Sequence, residues 1–305
     1  MGDVVNLFEY SVKQKTYEVC GVKIGGDPGL VPTVMVGSMF YNGHKVVEDP
    51  AEGFFDKELA ENQIRKAEDM SDSTGLPTMV DLVAENAVAA GRYLEFMVDT
   101  TEMPIFLDIV DEYAMVESLQ YALDHGMIDR IILNSLNPHT GKQLYEKVKE
   151  TGCKSAVLLL YSMKYLLSSN KDELLEEMVP RAEEAGVENI LIDTVVLDIP
   201  TLGLTSKAID LLKGRYGYPC GCGAHNAVSS WKRLREKYCA KAVTTVIGVT
   251  SALPVAAGAD FVLYGPMRNA EEVYPSIAMI EAAYSQLLIE KKIRLDRDHP
   301  RYRIG

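Results

Sequence analysis

Residues 105–135 read IFLDIVDEYAMVESLQYALDHGMIDRIILNS, and the order of apolar and polar residues in this stretch decides the fold. Ile105–Ile109 and Arg130–Leu133 are short, nearly continuous apolar runs, as a parallel strand needs when both of its faces are buried. Between them, Tyr113–His125 carries apolar residues at helical spacing, and Gly126 supplies the left-handed position that closes a helix. The stretch predicts one strand-helix-strand unit.

The same unit recurs on both sides. Further strands are predicted at Thr33–Val36, Thr78–Val83, Ala156–Leu160, Asn189–Asp193, Tyr218–Gly223 and Asp260–Tyr264. Helices are predicted at Lys57–Met70, Ala87–Val98, Gln143–Thr151, Lys171–Ala185, Ser206–Arg215 and Glu271–Glu290. Eight strands in repeating units, with no Pro/Gly/Ser-rich linker, predict an α/β fold of the (β/α)8 TIM barrel type, whose usual length is about 250 residues. A doubly wound sheet of this length would normally be broken by a second domain. One domain is therefore expected over residues 1–305, with a β-hairpin or paired edge strands at about 7–30. The charged, Arg-rich tail at about 291–305 is read as a surface extension or partner-contacting arm.

Composition narrows the possible roles. The 305 residues include 31 Lys+Arg against 44 Asp+Glu, a formal charge of −13, and 47% are hydrophobic. The apolar share supports a real core and excludes general disorder, while the acidic balance argues against nucleic acid as a partner. Five cysteines, an odd number scattered along the chain, suit reduced thiols and a cytoplasmic location. Met1–Asn6 has neither the basic nor the apolar region of an export signal. The longest uncharged stretch, Ala242–Ala259, is interrupted by Thr, Ser, Pro and Gly, so a buried helix leading into a turn is expected there and no membrane span.

In a (β/α)8 barrel the active site lies at the C-terminal ends of the strands, so the residues that end the apolar runs are the candidates. They are Asp81, Asp108, Asn134-Ser135, Asp193 and His225-Asn226. A single Asp after a strand equally well caps the next helix. Five polar ends in matching positions point to one cavity. Carboxylates accept from ring N–H and amino groups, and Asn both donates and accepts, so the set suits a neutral, donor-rich heterocycle such as a pterin.

The segments Phe106-Leu107-Asp108, Leu133-Asn134-Ser135, Leu191-Ile192-Asp193 and His225-Asn226-Ala227-Val228-Ser229 resemble the pterin-site motifs of the pterin-dependent corrinoid methyltransferases, whose barrel is dihydropteroate-synthase-like. Gly21-Val22-Lys23-Ile24-Gly25-Gly26-Asp27-Pro28-Gly29 and Gly37-Ser38-Met39-Phe40-Tyr41-Asn42-Gly43-His44-Lys45 are similar to the branch typified by the H subunit of tetrahydromethanopterin S-methyltransferase. That branch also holds soluble enzymes of methylamine, glycine betaine and aryl-ether demethylation. The resemblance implies methyl transfer between a corrinoid protein and N5 of tetrahydrofolate, or alternatively a tetrahydromethanopterin-specific H subunit of a membrane-bound complex. It further implies a homodimer and a corrinoid brought by a separate protein. By the same resemblance Asp108, Asn134 and Asp193 hold the pterin ring with Asp81 beside them, and Asn226 donates a hydrogen bond to N5 in the transition state. The carrier motif Asp-x-His-x-x-Gly is missing, since no Asp stands two residues before any of the five histidines, so this chain is not expected to ligate cobalt through histidine.

Other readings use the same residues. Cys220, Cys222 and His225 could bind zinc, but no second cysteine pair follows, and buried small apolar roles are favoured for both thiols. Gly221-x-Gly223 fails as a dinucleotide fingerprint because Asn226 stands at the third Gly position. Tyr41 and His44 are open between facing the site and holding their loop, and Glu85 and Asn86 are candidate supporting groups. A barrel that condenses pterin precursors would need a basic pyrophosphate site, and no Lys/Arg cluster stands at the strand ends.

Overall fold

Eight parallel strands close into a barrel in the computed structural model, which describes residues 8–162 and 167–305. The Met1–Asn6 segment and the first residue of the expected hairpin lie outside the described residues. The barrel strands are β1 (Val34–Met39), β2 (Thr78–Val83), β3 (Ile105–Asp108), β4 (Ile131–Leu136), β5 (Ser155–Leu159), β6 (Asn189–Asp193), β7 (Cys220–Cys222) and β8 (Phe261–Pro266), and β8 pairs with β1 to complete the ring. Around them run α1 (Lys57–Thr74), α2 (Ala87–Thr100), α3 (Glu112–Asp124), α4 (Lys142–Thr151), α5 (Lys171–Glu184), α6 (Ile199–Tyr216), α7 (Ala240–Ala256) and α8 (Ala270–Glu290). Asp56, Asn86 and Asp111 each accept a backbone N–H at the start of α1, α2 and α3, satisfying a donor that the helix itself leaves open.

Several boundaries differ from the sequence expectation, three of them for clear local reasons. Helix α6 starts at Ile199 and not at Ser206, because Pro200 occupies the first turn, where its missing N–H costs nothing, and Asp198 and Thr201 form a reciprocal capping box. Arg130 belongs to a 3-10 turn, Ile128–Arg130, and donates to the Thr101 and Met103 carbonyls, so β4 begins one residue later. Strand β7 is only three residues long, bounded by Pro219 and Gly223. The uncharged stretch is helix α7 followed by Gly258 at φ 94°, and among the described residues no helix is long and apolar enough to cross a membrane.

Strand alternation sorts the interior into layers. Val34, Val36, Met79, Phe106, Ile132, Val157, Leu191, Phe261 and Leu263 point inward and fill the barrel, while Met35, Val80, Leu82, Leu107 and Leu133 point outward to the helices. Below them a hairpin of Thr16–Val19 and Val22–Gly25 adds Val19 and Ile24 to the inner cluster and plugs the base. The C-terminal tail is not free of the core surface: His299 and Pro300 are buried, and Arg301 donates to Ser285 and Gln286 of α8.

One buried acid near the base sets a pH dependence. Glu281 of α8 accepts from the Thr33 backbone N–H at 3.0 Å and from its hydroxyl at 2.5 Å, its other oxygen has no partner among the described residues, and burial raises its carboxyl to about 7. The Lys213–Asp260 pair, at 2.5 Å, lies beside it. The folded protein thus keeps a proton that an unfolded Glu releases near pH 4.5, so stability falls as pH rises from about 4.5 to about 7. Glu281→Gln keeps the acceptor for Thr33 and removes the charge. Compared with wild type in urea unfolding, it is expected to flatten that fall, which is at most roughly 1.4 kcal/mol per pH unit; parallel curves would place the titration elsewhere.

Candidate active site

The inward position two residues above five of the core-filling residues is where the chemistry collects. Above Val36, Met79, Phe106, Ile132 and Leu191 stand Ser38, Asp81, Asp108, Asn134 and Asp193, and together with Asn226 they line a cavity of about 440 Å³ at the C-terminal mouth. All five residues singled out in the sequence, Asp81, Asp108, Asn134, Asp193 and Asn226, are brought together there. Among the described residues, none that lines the cavity is Lys or Arg.

The five are not equivalent. Asp81 pairs in register with Ser38 of β1, whose hydroxyl donates to it at 2.7 Å, and Asn134 donates its amide to the other Asp81 oxygen at 3.2 Å. Asp81 is 2% exposed, so it positions Asn134 and leaves the Asn134 carbonyl oxygen as the group open to a ligand. No hydrogen bond among the described residues engages the Asp108 carboxylate; burial, reinforced by Asp81 and Asp193, raises its pKa well above the usual range. Asp193 accepts from the Val195 N–H at 2.7 Å, yet burial still raises it to about 6, against the lowering influence of that bond and of Lys171. The cavity therefore presents acceptors: the Asn134 carbonyl and two strained carboxyl groups.

Asn226 sits in the first turn of the short helix His225–Ser230, which follows β7. Its amide donates to the Val196 carbonyl at 3.0 Å, and a Cβ on Gly223 would come within 3.2 Å of that nitrogen. His225 Nδ1 lies 3.2 Å from the Leu263 carbonyl, which can only accept, so Nδ1 is the donor of this pair. Gly265, at φ 87°, gives His225 its space: a Cβ there would stand 2.8 Å from that of His225.

Sequence reasoning missed Ser38, Lys171 and the placement of His225. Ser38 had a readable signal, since it occupies in β1 the position that Asp81 occupies in β2. Lys171, buried at the start of α5 with its ammonium on the Leu160 carbonyl, had none. The open residues now divide. Tyr41 lines the cavity, whereas His44 is buried in its loop, accepting from the Phe40 N–H and facing Gln63, and burial lowers its pKa to about 4. Asn86 caps α2, and Glu85 accepts from Asn42. Cys220 and Cys222 both point to the helices, with Gly221 between them on the inner side.

Comparison with known proteins supplies a family. The family model described as the tetrahydromethanopterin S-methyltransferase MtrH subunit matches residues 12–295. The H subunit of tetrahydromethanopterin S-methyltransferase from Methanothermobacter thermautotrophicus is 34% identical over 309 residues, covering 98% of this chain and 100% of that protein. Its counterpart from Methanopyrus kandleri is 32% identical over 298 residues, covering 90% and 92%. Among solved structures, Yersinia pestis dihydropteroate synthase with a pterin-sulfa conjugate superposes with a TM-score of 0.62 at 13% identity, over 90% of this chain and 100% of that one, which establishes the shared barrel. The relatives' names correct one expectation: the pterin is tetrahydromethanopterin in theirs and not the tetrahydrofolate expected from the sequence, nor do they point to a demethylation pathway. The physical reason is that both pterins offer the same ring edge to Asp and Asn and differ in the tail, so the strand-end residues do not carry the distinction.

Three buried carboxyl groups in one cavity oppose one another, and that opposition is measurable without a ligand. Asp108→Asn keeps the shape and removes the ionisable group whose ionisation the cavity opposes. At pH 8 it is expected to raise the thermal midpoint by about 2–4 °C, roughly 1 kcal/mol, in a calorimetric scan. A lowered midpoint would mean that the fold depends on the Asp108 carboxylate.

Proposed function

Because this chain belongs to the family of the tetrahydromethanopterin S-methyltransferase MtrH subunit, we propose that its barrel mouth binds tetrahydromethanopterin and moves a methyl group to or from N5 as one subunit of a methyltransferase complex. The observation that carries this reading is the row of inward acceptors, Asp108, Asn134 and Asp193, in one cavity. A pterin ring offers an amino group and ring N–H donors along one edge, and three acceptors fixed on rigid strand ends match it without a counter-cation.

Asn226 has the chemical role. A methyl group leaves nitrogen slowly unless the negative charge developing there is relieved, so a donor that acts only in the transition state lowers the barrier. The Asn226 amide is such a donor: one of its two N–H groups is held by the Val196 carbonyl, and the other can donate to N5. Asn has no proton to give up at neutral pH, so proton delivery falls to water or to a neighbouring carboxyl group. Positioning is the rest of the catalysis: the strand ends fix the ring so that the N–CH₃ bond faces the open mouth, where an in-line partner approaches. That partner is read as a corrinoid on a separate subunit, and the chain itself as a cytoplasmic homodimer.

The reading is tested anaerobically with purified protein, methyl-tetrahydromethanopterin and cob(I)alamin, following the absorbance of methyl-cobalt. Turnover supports it, and absence of both turnover and pterin binding defeats it. Asn226→Ala is expected to lower kcat by about 100-fold with KM nearly unchanged, whereas Asp193→Ala chiefly raises KM. With Asp193 at about 6, its acceptor form is lost as pH falls through that value, so pterin affinity at pH 5 is expected to be roughly tenfold below that at pH 8 in calorimetric titration. A pH-independent affinity would remove Asp193 from the ring contact.

A further inference from the structure

Beside the acceptor-lined cavity lies a second one of about 480 Å³ with the opposite character. Lys45, Lys232, Arg235 and Arg268 line it, and among the described residues no Asp or Glu does. The four come from three separate places: the loop after β1, the segment between β7 and α7, where Lys232 lies in the turn between two short helices and Arg235 in the second, and the turn after β8. No strand end supplies them, which is why the sequence showed no basic cluster. In a chain of formal charge −13, the four make no ion pair among the described residues. The two cavities are contiguous, since His225, Ser229 and Pro266 line both, and Arg268 donates to the Tyr41 hydroxyl across the boundary at 3.2 Å.

We propose that the basic cavity is an anion subsite that holds the phosphate or carboxylate groups on the tail of the same pterin whose ring occupies the acceptor cavity. This rests on the pterin reading above. A donor-rich, uncharged ring and an anionic tail on one molecule match an acceptor cavity joined to a cationic one, and the match fixes the direction of the ligand in the mouth. Arg235 and Arg268 offer planar forks suited to phosphate or carboxylate, while Lys45 and Lys232 add point charges. The tail would then decide which pterin binds, because the ring edge does not discriminate among them.

Trp231, the one Trp of the chain, lines this cavity and reports its occupancy by fluorescence. The test compares wild type with a Lys232→Gln/Arg235→Gln double variant, both confirmed folded by thermal unfolding, using tetrahydromethanopterin, the tail-less 6-methyltetrahydropterin and inorganic pyrophosphate. The variant is expected to lose at least about tenfold in affinity for tetrahydromethanopterin by calorimetry, with the tail-less pterin far less affected. Pyrophosphate is expected to change Trp231 emission in wild type and not in the variant, and added salt to weaken pyrophosphate and, of the two pterins, only the tail-bearing one. Equal affinity of wild type and variant for tetrahydromethanopterin overturns the inference. So does a variant that loses affinity for a corrinoid and not for the pterin, which would give the cations to the nucleotide-tail phosphate of the corrinoid. Wild type that binds pyrophosphate but neither pterin overturns the pterin reading together with the tail assignment. Tight binding of both pterins without preference overturns the tail assignment alone.

Discussion

The two-residue repeat of a β-strand is the constraint on which the rest of this structure depends. In each barrel strand, one inward residue must fill the interior, and the next inward residue necessarily faces the mouth. Phe106 and Asp108, Ile132 and Asn134, Leu191 and Asp193 are three instances of one rule. The core thus fixes the height and direction of the site residues, and a shift of register by one position would turn both sets toward the helices.

The same arrangement creates a local conflict. Asp81, Asp108 and Asp193 stand in one low-dielectric cavity, each raised by burial, and only Asp81 has both oxygens satisfied by side-chain donors. The rest of the barrel tolerates this because its interior is closed below by apolar side chains and its hairpin. Sites that oppose stability in this way are where a protein keeps groups for a ligand rather than for itself.

Much of this was legible in the chain. Strand positions followed from apolar runs, and Asp108, Asn134 and Asp193 were visible because each ends such a run; Asp81 lies inside β2 but on the correct face. What escaped depends on distant contacts. Lys171 reaches the Leu160 carbonyl only after α5 docks, His225 depends on the space left by Gly265, and the four cations of the second cavity meet only when three loops converge. Helix α6 was cut short because Pro200 and Gly203 resemble loop residues when the capping box of Asp198 and Thr201 is not in view. Choice of pterin was unreadable for another reason, since under the proposed reading the residues that end strands would address only the ring.

The hairpin plug has a consequence for the order of events. With Val19 and Ile24 sealed into the base, the described residues close that end, and the strand-end mouth is the doorway to the site. A second reactant carried on a protein would cover that doorway when it docks, trapping whatever is already inside. Under the methyltransfer reading the small molecule must enter first and leave last, so the kinetics become compulsory-order, and the lifetime of the docked assembly sets how soon the product can escape.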